Sequence, residues 1–191
     1  MPRVVAGKCK GTVLEAPKGD ATRPTTDKVK EAIFSSIQMR VPDSAFLDIF
    51  SGTGQMAIEA LSRGAEKAVL IDQAGKSQQV ISRNLQKTHL TEQARPMKMA
   101  FPEALKLLGK KGESFDIIFM DPPYAMAGSF AKTVSELLAE YHLLREGGIF
   151  IVESDADAQI QEIVTNMTCI KSCKYGSTLV TFFLESETMC E

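Results

Sequence analysis

From residue 45 to residue 152, short apolar runs alternate with stretches whose apolar residues recur every three or four positions. The runs at 45–50, 68–71, 96–100, 115–120 and 149–152 read as strands. The segments between them, 56–63 closed by Gly64, 76–87, a short one through Leu108, and 130–144, carry helical spacing. Strands buried on both faces need no polar alternation, and residues 115–120 have almost none. Repeated strand–helix units predict a doubly wound α/β fold, a mostly parallel sheet with helices on both faces. A helix near 158–164 precedes runs at 168–175 and 178–184, seven strand runs in all; the last two are joined at Gly176-Ser177, a connection short enough to demand an antiparallel hairpin.

The segment ahead of this core has another character. Residues 3–6 and 12–16 are β-prone around Gly7 and Gly11 and suggest a small hairpin, and 17–24 is turn-rich. Thr26 or Asp27 would then cap a helix ending near Pro42. A single domain is expected over 1–191, with 1–42 as an N-terminal extension and 43–191 as the core. At 44% hydrophobic, a chain this long can bury roughly 70% of its unfolded surface. No stretch approaches the ~20 apolar residues of a bilayer span, and the first residues lack a signal-peptide core. Four scattered cysteines and two histidines show no metal-ligand spacing, so a reduced, cytoplasmic setting without a metal is expected. The net charge of −2 is unevenly spread: residues 1–40 hold eight basic and four acidic groups, so +4, leaving −6 for the rest. Lys8, Lys10, Arg23 and Lys28 are the candidate RNA-phosphate contacts in that basic arm.

Two motifs fall at carboxyl ends of strands, where open α/β sheets bind ligands. The first is Asp48-Ile49-Phe50-Ser51-Gly52-Thr53-Gly54. Gly52 and Gly54 let backbone approach a ligand at a helix N-terminus, while Ser51 and Thr53 serve the turn. With Ala57 and with Asp72 at the next strand end, the spacing also suits a nicotinamide dinucleotide. Asp48 favours S-adenosylmethionine instead. A pyrophosphate ~4 Å from a carboxylate is repelled by about 1 kcal/mol in water and about 4 at an effective dielectric of 20, whereas a sulfonium and an ammonium are attracted. Asp72, with Gln73 beside it, would receive ribose hydroxyls under either cofactor.

The second motif is Asp121-Pro122-Pro123-Tyr124. The Asp121 carboxylate and the Pro122 carbonyl can accept both N–H bonds of an exocyclic amine while the Tyr124 ring stacks on its heterocycle. Because such an amine is delocalised into its ring, catalysis would rest on positioning and fixed dipoles. With an ordinary pKa of ~3.9, Asp121 would be a poor base towards a neutral amine but adequate once methylation makes the nitrogen cationic. Methylation of a base amino group is the reaction implied. An adenine-N6 methyltransferase acting on DNA or RNA, a nicotinamide oxidoreductase and a non-catalytic RNA-binding factor are the rivals.

These residues give the chain a resemblance to the bacterial 16S rRNA guanine-N2 methyltransferase family of the class I, S-adenosylmethionine-dependent fold. The likeness runs through Val4-Val5-Ala6-Gly7-Lys8-Cys9-Lys10-Gly11 and Thr22-Arg23-Pro24-Thr25-Thr26-Asp27-Lys28-Val29-Lys30-Glu31-Ala32. It continues in Leu47 to Gly54, Glu59-Ala60-Leu61-Ser62-Arg63-Gly64-Ala65, Asn84-Leu85, the 121–124 tetrad and Tyr175-Gly176-Ser177-Thr178. The tetrad is shared with adenine-N6 DNA methyltransferases and does not name the base; the Arg-Pro-Thr-Thr-Asp run carries the rRNA assignment. The resemblance implies a Rossmann-like, seven-stranded sheet and methylation of one guanine N2 within a small ribosomal particle. It implies donor contacts from Asp48, Gly52, Gly54 and Asp72, with Arg23 and Thr26 at the donor carboxylate or the RNA backbone. Many such enzymes present an acid to the adenine amine after the third strand. This chain has Ala100-Phe101-Pro102-Glu103, leaving Phe101 to meet the adenine by its N–H and ring, or to serve the core.

Overall fold

A computed structural model describes residues 1–16 and 25–186. Seven strands form one sheet: β1 (Ala45–Ile49), β2 (Lys67–Ile71), β3 (Ala94–Met97), β4 (Phe115–Met120), β5 (Leu144–Asp155), β6 (Met167–Tyr175) and β7 (Thr178–Glu185). Their order is β3-β2-β1-β4-β5-β7-β6. The first five pair in parallel, whereas β7 pairs antiparallel with both β5 and β6. The chain therefore runs outward from β1 to one edge, then returns to the other side of β1 with β4. That reversal opens a crevice at the carboxyl ends of β1 and β4.

Six helices cover the sheet: α1 (Asp27–Ser36), α2 (Gln55–Ser62), α3 (Gly75–Thr88), α4 (Phe101–Lys110), α5 (Ala127–Glu140) and the short α6 (Ile160–Ile163). Strand alternation sorts the apolar residues into two cores. Phe46, Ile117, Phe119 and Ile151 pack with α1, α2 and α3, whereas Leu47, Ile49, Ile118 and Met120 pack with α4 and α5. The same alternation turns Asp48, between Leu47 and Ile49, towards α2.

Four expected elements shift, the first being α1, which ends at Ser36 rather than near Pro42. Residues 3–6 and 12–16 form a single antiparallel bridge, Arg3 with Val13, rather than a hairpin of two strands. The third strand lies at 94–97, two residues early, because its Pro96 sits on a sheet edge where a missing N–H is tolerated. Helix α5 stops at Glu140 and β5 begins at Leu144, since Gly147 (φ 69°) builds a bulge that lets Leu144 pair with Phe115 before Ile149 pairs with Ile117. The turn-rich stretch 17–24 lies outside the described residues.

The N-terminal extension is held by side chains of the helices beneath it. Glu59, fully buried in α2, accepts from the backbone N–H of Val5 (2.8 Å) and Ala6 (2.9 Å) and from Arg63 Nε (2.8 Å). The Lys30 ammonium, also fully buried, lies 3.7 Å from Glu59 and donates to the Arg3 carbonyl. Burial pulls the Lys30 pKa down, and the charges of Glu59 and Asp27 oppose that. Ser62 Oγ donates to Ala6 O (2.6 Å) and accepts from Cys9 N (2.9 Å). Asn84 takes Glu15 N at 2.8 Å and donates to Glu15 O and Thr53 O at 3.0 and 2.9 Å, tying the extension to the glycine turn. Runs that signalled a family in the sequence are thus, in part, the fastening of this extension.

Candidate active site

Where β1 ends, the chain leaves the sheet through a strained turn. Phe50 (φ 66°), Gly52 (φ 54°) and Gly54 (φ 77°) all adopt left-handed backbone. At Gly54 a side chain would also stand 3.0 Å from Leu70 and 3.4 Å from Ile81, so glycine is required twice over. The N-cap of α2, Gly54, has no side chain to bond the first turn of the helix, and the Asp48 carboxylate takes the Ala57 N–H there instead. Beside the turn lies an open cleft of ≈ 470 Å³, lined by Asp48, Ser51, Gly52 and Thr53 from this side and by Asp121 from the other. The two motifs separated by about seventy residues of sequence share one cavity.

Register explains the meeting. Ile49 pairs with Met120 and Met120 with Val152, so Asp121 emerges beside the end of β1 and laterally next to Glu153. Asp48, Asp121 and Glu153 all point to the α1–α2 face. Asp48 is 1% exposed, with Ala57 N–H donating to its Oδ2 at 3.3 Å. Burial pushes its pKa up to about 8; the Ala57 N–H opposes this and the charge of Asp72 adds to it. Burial likewise raises Asp121 well above the usual carboxylate range, helped by the charges of Glu153 and Asp48 and countered by the Thr25 hydroxyl. The ordinary carboxylate assumed from sequence is therefore corrected: once ionised, Asp121 is a stronger proton acceptor than its residue type implies. A cleft with acids so poorly solvated is primed for a cation.

The remaining expected residues are distributed as follows. Asp72 Oδ2 accepts from Gly52 N (2.9 Å) and its Oδ1 from Ala74 N (2.8 Å), placing this carboxylate against the glycine turn; Gln73 beside it is exposed. Ala100 is the N-cap of α4. Phe101 is 9% exposed and packs with Phe50 and Phe130, centroids 5.2 and 5.1 Å away, so its ring belongs to an aromatic cluster bordering the turn. Thr26 caps α1 by accepting from Val29 N, and it is the neighbouring Thr25 that lines the cleft. Pro122 is buried and Pro123 exposed, and Tyr124 opens a short 3-10 turn; the Tyr124 side chain and the whole of Arg23 lie outside the described residues.

Lys8, Lys10 and Lys28 are the basic candidates among the described residues. Lys8 and Lys10 are exposed, but Lys8 N donates to Ser62 O at the far end of α2, about 12 Å of helix from the cleft. Lys28 is exposed, three residues beyond Thr25, which lines the cleft. Sequence reading missed Thr25, Gln55 and Glu153. Thr25 Oγ1 donates to Glu153 Oε2 (2.8 Å), and Gln55 Nε2 donates to Thr25 O (3.3 Å). A polar residue opening an otherwise apolar helix, and an acid ending an apolar strand, were the available signals. Among the described residues no group of His, Cys, Asp and Glu is arranged to hold a metal ion.

Comparison with known proteins agrees with this geometry. A Bacillus subtilis protein named "Putative rRNA methyltransferase YlbH" is 37% identical over 95% of this chain and 97% of its own length. The ribosomal RNA small subunit methyltransferase D of Escherichia coli is 31% identical over 86% of this chain and 80% of its own. A solved Thermus thermophilus hypothetical protein superposes with a TM-score of 0.81 at 27% identity, covering 95% of this chain and 98% of that one. An RNA methyltransferase from Salinibacter ruber, solved with S-adenosyl-L-homocysteine, superposes at 0.68 over 88% of this chain and 97% of that one; at 14% identity the likeness is one of fold. With residues 2–184 matching it, the chain belongs to the family described as conserved hypothetical protein 95, and its fold is that of the class I methyltransferases.

Proposed function

We propose that the chain uses S-adenosylmethionine to methylate the exocyclic N2 amine of a guanine in 16S rRNA of the small ribosomal subunit. The observation that carries this reading is the single cleft in which Asp121, at the tip of β4, faces the glycine turn and Asp48 of β1. The names of the rRNA methyltransferases it resembles over most of their length supply the substrate class. One domain would hold both functions: 43–191 the donor and the chemistry, 1–42 the RNA-facing extension, in the cytoplasm where ribosomes assemble. Arg23 and Lys28 would contact RNA phosphates, and Lys8 and Lys10 would reach RNA at the end of α2 away from the cleft.

The donor supplies an electrophilic methyl on sulfur. Asp48 and the turn 51–54 hold its cationic end, Asp72 and Gln73 its ribose, and Ala100 and Phe101 border its adenine. Asp121 Oδ and the Pro122 carbonyl accept the two N–H bonds of the amine and turn its lone pair out of the ring plane. The N–C bond forms as the C–S bond breaks. The cationic nitrogen then gives its proton to Asp121, whose raised pKa suits that role, or to water. Pro123 stiffens the loop and Tyr124 stacks on the base, worth about 1–3 kcal/mol. Guanine N2 is out of reach inside a duplex, so the target base is splayed out.

Mass spectrometry of rRNA from cells lacking this protein tests the reading. One N2-methylguanosine should vanish from small-subunit rRNA; loss of an N6-methyladenosine, or no loss, contradicts it.

Asp48 adds a pH signature. A carboxyl that holds its proton up to about 8 must release it to pair with an ammonium, so binding is weakened as pH falls below that value. S-adenosylhomocysteine affinity should rise by up to about tenfold per pH unit between 6 and 8 and then level off. Asp48→Asn should weaken binding and remove most of the slope; titration calorimetry at several pH values measures both, and a flat wild-type profile counts against the pairing.

A further inference from the structure

Gln55, the first residue of α2, is 6% exposed, lines the cleft, and keeps a buried Oε1 with no hydrogen-bond partner. A buried acceptor left unmade costs about 1–3 kcal/mol, which native proteins rarely carry without a reason. The amide's orientation is fixed by its other end. Nε2 donates to Thr25 O, and the flipped amide would set two oxygens against each other, so Oε1 is the atom turned away from Thr25.

We propose that Gln55 Oε1 receives the ammonium of the methyl donor and so makes the site selective for an amino-bearing cosubstrate. This rests on the donor reading given above. S-adenosylmethionine carries N–H donors at two places, the adenine amine and the α-ammonium. Asp72, suited to the ribose, stands on the β2 side of the turn and is not part of the cleft lining. Gln55 shares the cleft instead with Asp48, the carboxylate assigned to the donor's cationic end. A neutral oxygen there adds a hydrogen bond to the ammonium without a further charge to desolvate. Thr25, bonded at once to Gln55 and Glu153, sets the amide in place and is a positioning residue for this contact.

The test is a cycle between protein and ligand, read by titration calorimetry. S-adenosylhomocysteine and its deaminated counterpart, in which hydrogen replaces the α-amino group, are each titrated into wild-type protein and Gln55→Met. Hydrogen bonds to charged groups are worth enough that the variant should lose about tenfold in affinity for the amino-bearing ligand. Its affinity for the deaminated ligand should stay within about twofold. Gln55→Asn, which keeps the amide but withdraws it by one methylene, should shift the ratio in the same direction and serves if the methionine variant does not fold. Equal weakening of both ligands, or no change in either, overturns the proposal and marks Gln55 as structural or hydrated. Failure of wild-type protein to bind S-adenosylhomocysteine at all is a different result and sinks the donor reading itself.

Discussion

Asp121→Ala is expected to lower methyl transfer by about 10³-fold while S-adenosylhomocysteine affinity changes by no more than about threefold. The size follows from removing a preorganised acceptor aimed at the reacting nitrogen, an effect of about 10²–10³ on turnover, together with the loss of in-line aim. The selectivity follows from the fold: Asp121 enters the cleft from β4, whereas the turn and Asp72, proposed above to hold the donor, follow β1 and β2. Stability should not suffer. Asp121 stands beside Glu153 and near Asp48, so its removal relieves repulsion in a poorly solvated place. Asp121→Asn keeps one acceptor oxygen and should retain more activity than the alanine variant. Initial rates on small-subunit rRNA, paired with calorimetry, measure both quantities; unaltered turnover would falsify the catalytic role.

Glu59→Ala should destabilise the protein by about 3–5 kcal/mol, the usual loss when one member of a buried ion pair is removed. For a chain of this size that corresponds to roughly a 10 °C fall in Tm. Three donors lose their acceptor at once, the N–H of Val5 and Ala6 and Arg63 Nε, and the fully buried Lys30 ammonium loses its buried counter-charge. Lys30→Met in the same chain should recover part of the loss, because the stranded cation is then gone. Urea unfolding of the two single variants and the double variant measures the coupling. A loss below ~1 kcal/mol for Glu59→Ala would show that the extension is fastened by its apolar contacts, Val4 and Leu14 among them, and not by this network.

The parallel core was legible because strands such as 115–120 are buried on both faces and announce themselves as unbroken apolar runs. The site was legible at its two strand tips for a related reason: glycines with positive φ, and an Asp-Pro-Pro run, are chemically marked. What escaped was set by contacts distant in sequence. Nothing near Thr25 points to Glu153, 128 positions away, and only register places Glu153 beside Asp121. The raised pKa of Asp121 is invisible for the same reason, since it arises from burial and from neighbours on two other strands. Nothing near Lys8 in sequence points to Ser62, yet its N–H donates to the Ser62 carbonyl at the end of α2. Leu143 and Leu144 continued a helical spacing, and only the Gly147 bulge shows why the strand has already begun.

At the centre stands a physical claim: one cleft, poorly solvated and acidic, brings a methyl sulfonium to an amine held at the tip of β4. It is tested most directly by incubating the protein with methyl-labelled S-adenosylmethionine and small ribosomal subunits from cells lacking it, then digesting the rRNA to nucleosides. The label should appear as N2-methylguanosine, with one methyl per subunit at saturation. Label on adenine N6, or no transfer by a protein that binds NAD tightly and S-adenosylhomocysteine not at all, would contradict the account.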